Sequence, residues 1–324
     1  MQSTSPSQSI AIGFDKIRAS HERIRAHIHR TPVLTSGRLN EVSRASLFFK
    51  CENFQKIGAF KARGATNAVF ALDDATAERG VATHSSGNHG AAVARAAKLR
   101  KIPAHIVMPS NSAKVKVRAV EGYGANVVFC EPTEAARETT CAEVINKTGA
   151  TLIHSFENED VIAGQGTAAV ELLEDVPDLD LVMCPVGGGG LLSGTAIAAK
   201  SMRPKIKVIA VEPANADDAA QSFRAGQRIV TEEKFTIADG LRTNVGERTF
   251  PIVQRYVDDI VTVSEEAIVS AMRTIWETMK IIIEPSAAVP YAAIQQSEIG
   301  VRGKRVGIIL TGGNVDLDAL PWIR

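Results

Sequence analysis

The chain has 324 residues with 37 basic and 36 acidic side chains, so its formal net charge is only +1, and 45% of its residues are hydrophobic. This is the composition of an ordinary globular protein, and the length corresponds to about two domains. Because the charges are balanced and interspersed, we expect neither nucleic acid nor an anionic membrane as a partner. The longest uncharged stretch, 181–199, contains Pro185 and four consecutive glycines, which argues against a membrane-spanning helix.

The cysteines and the N-terminus predict the compartment. Cys51, Cys130, Cys141 and Cys184 are scattered without any CxxC spacing, as is typical of reduced thiols in a cytosolic protein. The N-terminal MQSTSPSQS is polar and lacks the apolar core of a signal peptide, so we expect a frayed tail. The expected location is therefore cytoplasmic.

From residue 80 onward, short β-branched runs alternate with segments of helical length. The runs GVATH, AHIVM and NVVFC are followed by predicted helices over 88–99, 112–123 and 133–148. Further predicted strands are TLIH, LDLVMCPV, KVIAVE, DIVTV and RVGIIL. Strands separated by helices predict right-handed crossovers, and hence an α/β fold with a largely parallel sheet that is buried on both faces.

The clearest helical periodicity follows Ser264. Apolar residues recur there at the spacing of one helix face: Ile268, Ala271, Met272, Ile275, Trp276 and Met279. We interpret this stripe as a face turned to the core, in preference to the lining of a cofactor pocket.

Parallel α/β sheets bind ligands beyond the carboxyl ends of their strands, so the strand-to-helix turns are informative. The turn after LDLVMC contains Gly187–Gly190, which lets several backbone N–H groups converge at a helix N-terminus and favours a phosphate. The turn lacks the GK[ST] of a P-loop, and Ser193 replaces the third glycine of a dinucleotide motif. A tight, closely packed turn is the alternative, but four glycines favour a phosphate site.

Three other segments carry candidate chemistry. Lys61 lies among small and apolar residues in KIGAFKARGA, where desolvation would lower its pKa and free its amine for a Schiff base. The segment THSSGNHG offers hydroxyls, an amide and backbone donors for a substrate carboxylate, with Ser86 as a proton carrier, although N-capping would also explain it. Thr311 follows the last strand, and its hydroxyl would either bind the ring nitrogen of a ligand or serve only as a capping group.

Together, KIGAFKARGA, SSGNHG, the tetraglycine turn and TGGNVD resemble, in this order, the fold type II pyridoxal-phosphate (PLP) enzymes. Within these enzymes the chain is most similar to the serine racemase and serine/threonine or 3-hydroxyaspartate dehydratase family. The resemblance implies that Lys61 is the Schiff-base lysine, that Phe60 lies against the cofactor ring and that Asn88 binds the phenolic oxygen. Its implied phosphate ligands are Gly187, Gly188, Gly189, Gly190 and the Leu191 N–H, and Thr311 would meet the pyridine nitrogen.

The resemblance also implies a divalent cation and a domain arrangement. The carboxylates of Glu212 and Asp218 and the carbonyl of Ala216 would bind Mg²⁺, Ca²⁺ or Mn²⁺, whereas the acidic run alone would indicate only a helix N-terminus. A small substrate-loop domain, 80–155, would be inserted in a large PLP-binding domain made of 1–79 and 156–324. The implied fold has two open, mainly parallel sheets flanked by helices. Members of the family usually form homodimers, so the resemblance implies a homodimer.

We expect an ammonia-lyase that converts serine, threonine or 3-hydroxyaspartate into a 2-oxo acid and ammonia. Threonine dehydratases of similar sequence carry alanine at the position of Ser86, whereas serine racemases and 3-hydroxyaspartate dehydratases carry serine. The expected contacts to the substrate carboxylate come from Ser85, Ser86, Asn88 and His89. A dicarboxylate substrate would need an additional cation, which Arg137 or Arg242 could supply.

Alternatives use the same site. If Ser86 returned a proton to Cα from the face opposite Lys61, the protein would be a racemase. A β-replacement synthase and a non-catalytic PLP-binding protein are more distant alternatives. Two departures from the mammalian serine racemases argue against activation by ATP: Phe156 replaces an asparagine near the substrate, and residues 36–38 match the ATP-contact segment only partly.

Overall fold

This computed structural model describes residues 12–85, 87–112, 114–232 and 235–322, so the expected N-terminal tail lies outside the described residues. The helices in the described ranges are α1 (Phe14–Ile24), α2 (Gly37–Ser43), α3 (Lys61–Ala71), α4 (Asp74–Glu78), α5 (Asn88–Arg100), α6 (Lys114–Glu121), α7 (Glu134–Thr148), α8 (Glu159–Asp175), α9 (Gly190–Met202), α10 (Asp218–Ala225), α11 (Thr249–Tyr256), α12 (Glu265–Met279) and α13 (Pro285–Gln295). The strands are β1 (Val33–Leu34), β2 (Ser46–Cys51), β3 (Val81–His84), β4 (Ala104–Pro109), β5 (Asn126–Cys130), β6 (Thr151–Leu152), β7 (Leu181–Pro185), β8 (Lys207–Pro213), β9 (Asp259–Val263) and β10 (Arg305–Leu310).

The strands form two sheets. The larger has six strands in the order β1-β2-β10-β7-β8-β9, and the smaller has four in the order β5-β4-β3-β6. Every pair is parallel except β1 with β2. This confirms the predicted α/β fold with two mainly parallel sheets flanked by helices. All strands of the smaller sheet lie between Val81 and Leu152, so the chain leaves the larger sheet once and returns to it.

Most of the predicted elements are present. The runs NVVFC, DIVTV and RVGIIL coincide with β5, β9 and β10, and the helix predicted after Ser264 is α12. The Ser264 hydroxyl caps α12 by accepting a hydrogen bond from the Ala267 N–H at 3.3 Å. Ile268 and Ile275 are buried on its inner face, which confirms that the stripe faces the core. The sequence analysis did not predict β1 and β2.

Apolar side chains cover both faces of the larger sheet. Helices α12 and α13 contribute to the core on one face, and α8, α9 and α11 to the core on the other. Strand β7 is buried along its whole length, as expected for a parallel strand covered on both sides. In the described ranges, none of the helices combines the length and apolarity that a membrane span requires.

Helix α3, which begins at Lys61, packs between α8 and α5 and thus between the two sheets. Its backbone approaches α8 closely, because a Cβ added to Gly164 would lie only 2.7 Å from the Cα of Gly64. Glycine at these positions lets the two helices touch backbone to backbone.

A buried ionic cluster, made of Lys50, Glu52, Arg63 and Glu171, fixes α3 to its neighbours. The Arg63 guanidinium donates to both oxygens of Glu52, at 2.7 and 2.8 Å, and to both oxygens of Glu171, at 2.8 and 2.7 Å. Lys50 Nζ also donates to Glu171 at 2.7 Å. All four side chains are at most 1% exposed, so each charge depends on its partners for solvation.

We expect Arg63→Met to destabilise the protein by about 3–5 kcal/mol, because the change leaves two buried carboxylates with only one cation. Urea unfolding at neutral pH measures this loss. The matched control is Arg273→Ala, which breaks an exposed i,i+4 ion pair with Glu277 and should cost at most about 0.5 kcal/mol. Equal losses in the two variants would show that the buried ionic cluster does not hold α3.

Candidate active site

A cavity of about 490 Å³ lies between the two sheets. It is lined by most of the residues that the sequence analysis singled out: Phe60, Lys61, Ser85, Asn88, His89, Arg137, Gly187, Gly188, Gly189, Gly190, Leu191 and Thr311. Ser86 lies outside the described residues. Glu212, Ala216 and Asp218 do not line the cavity and lie together elsewhere.

The turn before Lys61 is built against the segment that follows β10. The Phe60 N–H donates to the Thr311 carbonyl at 2.9 Å, and the Gly313 N–H donates to the Gly58 carbonyl at 2.9 Å. Ile57 and Gly58 have φ values of +59° and +72°, a left-handed conformation that is uncommon for a β-branched residue. These contacts bring Lys61 and Thr311 to the same cavity.

Lys61 has the surroundings of a reactive amine. Its Nζ donates to the Ser155 carbonyl at 3.1 Å and lies 5.1 Å from the centre of the Phe60 ring. Burial lowers the pKa of Lys61 to about 8, although the Glu284 carboxyl opposes the shift. A substantial fraction of the amine is therefore neutral near physiological pH.

The tetraglycine turn connects β7 to the N-terminus of α9 at the cavity wall. Gly189 has φ of +86°, and a Cβ there would lie 2.8 Å from the hydroxyl of Thr249. A Cβ on Gly188 would overlap the Phe156 ring. Close packing thus accounts for part of the glycine requirement, and the backbone still faces the cavity at a helix N-terminus, where an anion is favoured.

Two polar groups deeper in the site complete its chemistry. The Thr311 hydroxyl is buried and has no hydrogen-bond partner in the described part of the chain. Glu284, which the sequence analysis missed, accepts hydrogen bonds from Asn88 Nδ2 at 3.1 Å on both carboxylate oxygens. Burial raises the pKa of Glu284 to about 7, although the hydrogen bond from Asn88 opposes the shift.

The histidines of the cavity are held as neutral rings. His89, predicted to contact the substrate, bonds through Nε2 to the Ile153 carbonyl at 2.8 Å, and burial lowers its pKa to about 3. His154 accepts at Nδ1 from the Glu157 N–H at 2.9 Å, and burial lowers its pKa to about 4. The neutral His154 ring therefore carries its proton on Nε2.

The structure distinguishes the two candidate arginines. Arg242 donates twice to the Thr236 carbonyl, at 3.1 and 2.7 Å, and its guanidinium lies 5.5 Å from the Phe235 ring. Arg137, in the first turn of α7, lines the cavity and forms no ion pair with the residues that the structure describes. Both arginines line the cavity, and Arg137 is the one whose guanidinium is not held by a backbone carbonyl of the described residues.

Glu212 and Asp218 form a separate pair of buried carboxyl groups. Glu212 accepts from the Ala220 N–H at 2.9 Å, and Asp218 accepts from the Val245 N–H at 2.6 Å. Burial raises the pKa of both groups, to about 6 for Asp218, and the neighbouring Asp218 charge raises that of Glu212 further. Among the described residues no group of three or more His, Cys, Asp or Glu side chains could hold a metal ion.

A lysine amine with a lowered pKa, a glycine turn at a helix N-terminus and a buried hydroxyl without a partner among the described residues surround one cavity, which is suited to a phosphorylated carbonyl cofactor. The chain belongs to the family of pyridoxal-phosphate dependent enzymes, which matches residues 24–312. This confirms the family resemblance and the PLP cofactor predicted from the sequence.

Comparison with individual relatives indicates which members of this enzyme family the chain resembles. The chain is 51% identical to the β-hydroxyaspartate dehydratase of Paracoccus denitrificans (strain Pd 1222), covering 95% of this chain and 98% of that protein. It is 50% identical to the serine racemase of Dictyostelium discoideum, whose crystal structure superposes with a TM-score of 0.90 over 94% of this chain and 99% of that one. The crystal structure of the T.th. threonine deaminase is 40% identical, also with a TM-score of 0.90, and covers 94% and 99% of the two chains.

Glu284→Gln tests the raised pKa of this carboxyl in the cofactor-free protein. Since the pKa is about 7 when folded and 4.5 when unfolded, the folded state binds more protons between these values, and the free energy of unfolding falls as the pH rises through that window. Glutamine does not titrate, so the variant does not show this fall in the free energy of unfolding. We expect its stability relative to wild type to increase by roughly 3 kcal/mol between pH 4 and pH 8 in urea unfolding. A stability difference between the variant and the wild type that does not change with pH would contradict the raised pKa of Glu284.

Proposed function

We propose that the protein is a PLP-dependent ammonia-lyase that removes water from a β-hydroxy amino acid, with 3-hydroxyaspartate ranked before serine and threonine. The observation that carries this proposal is the cavity that Lys61 shares with Arg137, which forms no ion pair with the described residues. The 51% identity to a β-hydroxyaspartate dehydratase supports the ranking.

The residues around the cavity fit the cofactor. The glycine turn, with the Leu191 N–H, would hold the phosphate, and Asn88 would donate to the phenolic oxygen. The buried Thr311 hydroxyl lacks a hydrogen-bond partner in the described ranges, and it would form a hydrogen bond with the pyridine nitrogen. Phe60 would lie against the ring. When bound, PLP withdraws electrons from an attached amino acid and makes its α-hydrogen acidic.

Lys61 would hold the cofactor and, once displaced by substrate, move the α-proton. Its Nζ takes the proton from Cα as a neutral amine, a state that the pKa of about 8 makes accessible. The proton taken by Lys61 would then pass to the β-hydroxyl, which would leave as water when the Cβ–O bond breaks. Hydrolysis of the released enamine gives the 2-oxo acid and ammonia.

The substrate would be oriented from the smaller sheet. The backbone and hydroxyl of Ser85, together with Ser86, Asn88 and His89, would bind the α-carboxylate at the start of α5. Because His89 is neutral and tied to Ile153, its contribution would come from its position at the helix N-terminus rather than from charge. Arg137 would pair with the second carboxylate of 3-hydroxyaspartate.

Racemisation is the second candidate function. The serine racemase of Dictyostelium discoideum is 50% identical to this chain, and that similarity favours an activity in which Ser86 returns a proton to Cα on the face opposite Lys61. The two reactions share the removal of the α-proton and differ in whether the Cβ–O bond breaks before a proton returns.

We also propose that a divalent cation, Mg²⁺, Ca²⁺ or Mn²⁺, binds at Glu212, Asp218 and the Ala216 carbonyl. Two buried carboxyl groups beside each other are a hard-oxygen ligand set, and water would complete the shell. Chelation should then lower the melting temperature by several degrees, since a cation at 100 times its dissociation constant stabilises by about 2.7 kcal/mol. The variant Glu212→Gln should not respond, and an equal response would remove the cation from this site.

Three further expectations stand as proposals. The small domain would span 80–155 within a large domain of 1–79 and 156–324, which the distribution of strands supports. A homodimer is supported by the exposed Phe54 and Ile282, which lie on segments joined by a hydrogen bond from Asn53 to the Ile282 carbonyl. The four unpaired, buried cysteines support a cytoplasmic location.

The proposed function is tested with Lys61→Ala. The variant should lose the visible absorbance of the lysine-bound cofactor, and its release of 2-oxo acid should fall by on the order of 10³-fold or more. Lys56→Ala is the matched control, because Lys56 lies in the same segment but does not line the cavity. Wild-type activity in Lys61→Ala would refute the catalytic assignment.

The same assay identifies the substrate. L-serine, D-serine, L-threonine and the 3-hydroxyaspartate stereoisomers are each measured for 2-oxo acid, ammonia and the other enantiomer. Arg137→Ala should lower kcat/KM for 3-hydroxyaspartate by about 10²-fold and change that for serine only a few-fold, because serine has no second carboxylate. An equal loss for both substrates would exclude Arg137 as the selective contact.

A further inference from the structure

The side-chain amide of Asn88 lies between a donor and an acceptor. Asn314 Nδ2 is 2.8 Å from Asn88 Oδ1, and Asn88 Nδ2 is 3.1 Å from both carboxylate oxygens of Glu284. An asparagine amide keeps its shape when it rotates by 180° but exchanges its donor for its acceptor. Its neighbours therefore decide which group faces the cavity.

The orientation of Asn314 is set by the backbone. Its Nδ2 lies 2.8 Å from the Ile57 carbonyl, which only accepts hydrogen bonds, so the nitrogen must face that carbonyl. The same NH₂ group faces Asn88, which must therefore present its oxygen. On the other side an ionised Glu284 only accepts, so Asn88 must present its nitrogen there. Because the pKa of Glu284 is raised to about 7, the contact from Asn314 fixes the same orientation when Glu284 is protonated. Both neighbours select the same orientation.

The backbone beneath this network is unusual. The carbonyl belongs to Ile57, which is itself held at φ of +59°, and the carbonyl of the next residue, Gly58, accepts from the N–H of Gly313, beside Asn314. A β-branched residue in this conformation persists only when its surroundings enforce it, and such strain concentrates at functional sites. The turn before Lys61 thus aims a carbonyl at the side chain that orients Asn88.

We propose that Asn314 and Glu284 are positioning residues that lock the Asn88 amide with its nitrogen towards Glu284 and the cavity. The inference rests on the proposed function, in which Asn88 donates to the phenolic oxygen of the cofactor. In the locked orientation an N–H group is available to that oxygen. In the reversed orientation a carbonyl oxygen would face it and repel it.

The variant Asn314→Asp keeps the shape and removes the donor. The new carboxylate accepts from Asn88 Nδ2, so the Asn88 amide rotates and its oxygen meets Glu284. We expect a lower melting temperature, a shifted absorbance maximum of the bound cofactor and a dissociation constant for PLP about tenfold higher.

The double variant Asn314→Asp, Glu284→Gln separates orientation from stability. The amide introduced at 284 donates to the rotated Asn88 oxygen, so part of the lost melting temperature returns. The nitrogen of Asn88 still faces away from the cofactor, so the absorbance shift and the weakened PLP binding persist. A purely structural role would restore all three quantities together.

Asn53→Asp is the matched control. Asn53 Nδ2 donates to the Ile282 carbonyl at 3.0 Å, so the substitution removes the same kind of bond close to Gly313 without touching Asn88. The control should keep the absorbance and PLP affinity of the wild type. Unchanged absorbance and PLP affinity in Asn314→Asp, or their recovery in the double variant, would overturn this inference and leave the proposed function standing. Failure of the wild type to bind PLP would overturn the proposed function as well.

Discussion

The contact between the turn before Lys61 and the segment after β10 is the constraint on which the site depends. Hydrogen bonds from Phe60 to Thr311 and from Gly313 to Gly58 join segments from opposite ends of the chain and hold Ile57 in a left-handed conformation. The lysine and the buried hydroxyl of Thr311 become neighbours only through this pairing. Both lie at the carboxyl edge of the larger sheet, where parallel strands leave backbone groups free for ligands.

Helix α3 is held from behind by the buried ionic cluster, while its first residue faces the cavity. Glu52 and Glu171 balance the charges of Lys50 and Arg63, so no carboxylate of the cluster is left over to stabilise a charged Lys61. Glu284 is the carboxyl that acts on Lys61, and its own pKa is raised by burial. The separation of these two charge systems keeps Lys61 available as a neutral amine.

The sequence predicted those parts of the fold and site that have a local pattern. Parallel strands appear in the sequence as β-branched runs. The tetraglycine turn can be recognised in the sequence because four glycines are more than a tight turn requires. Glu284 was missed because a single carboxylate after the apolar run III has no periodic or motif signal. Its importance arises from Asn88, which approaches it from the other sheet. The proposed preference for Arg137 over Arg242 rests on the contact of Arg242 with the Thr236 carbonyl, which no sequence spacing encodes.

In the proposed function, recognition of cofactor and substrate is divided between the two sheets. Lys61, the glycine turn and Thr311 belong to the larger sheet, whereas Ser85, His89 and Arg137 are carried by the smaller one. An exposed ion pair between Lys116 and Asp239, at 3.0 Å, also joins the two sides across the cavity. Under the proposed function, such a division would let a dehydratase and a racemase that are each about half identical to this chain share one fold, while the wall supplied by the smaller sheet sets substrate and product.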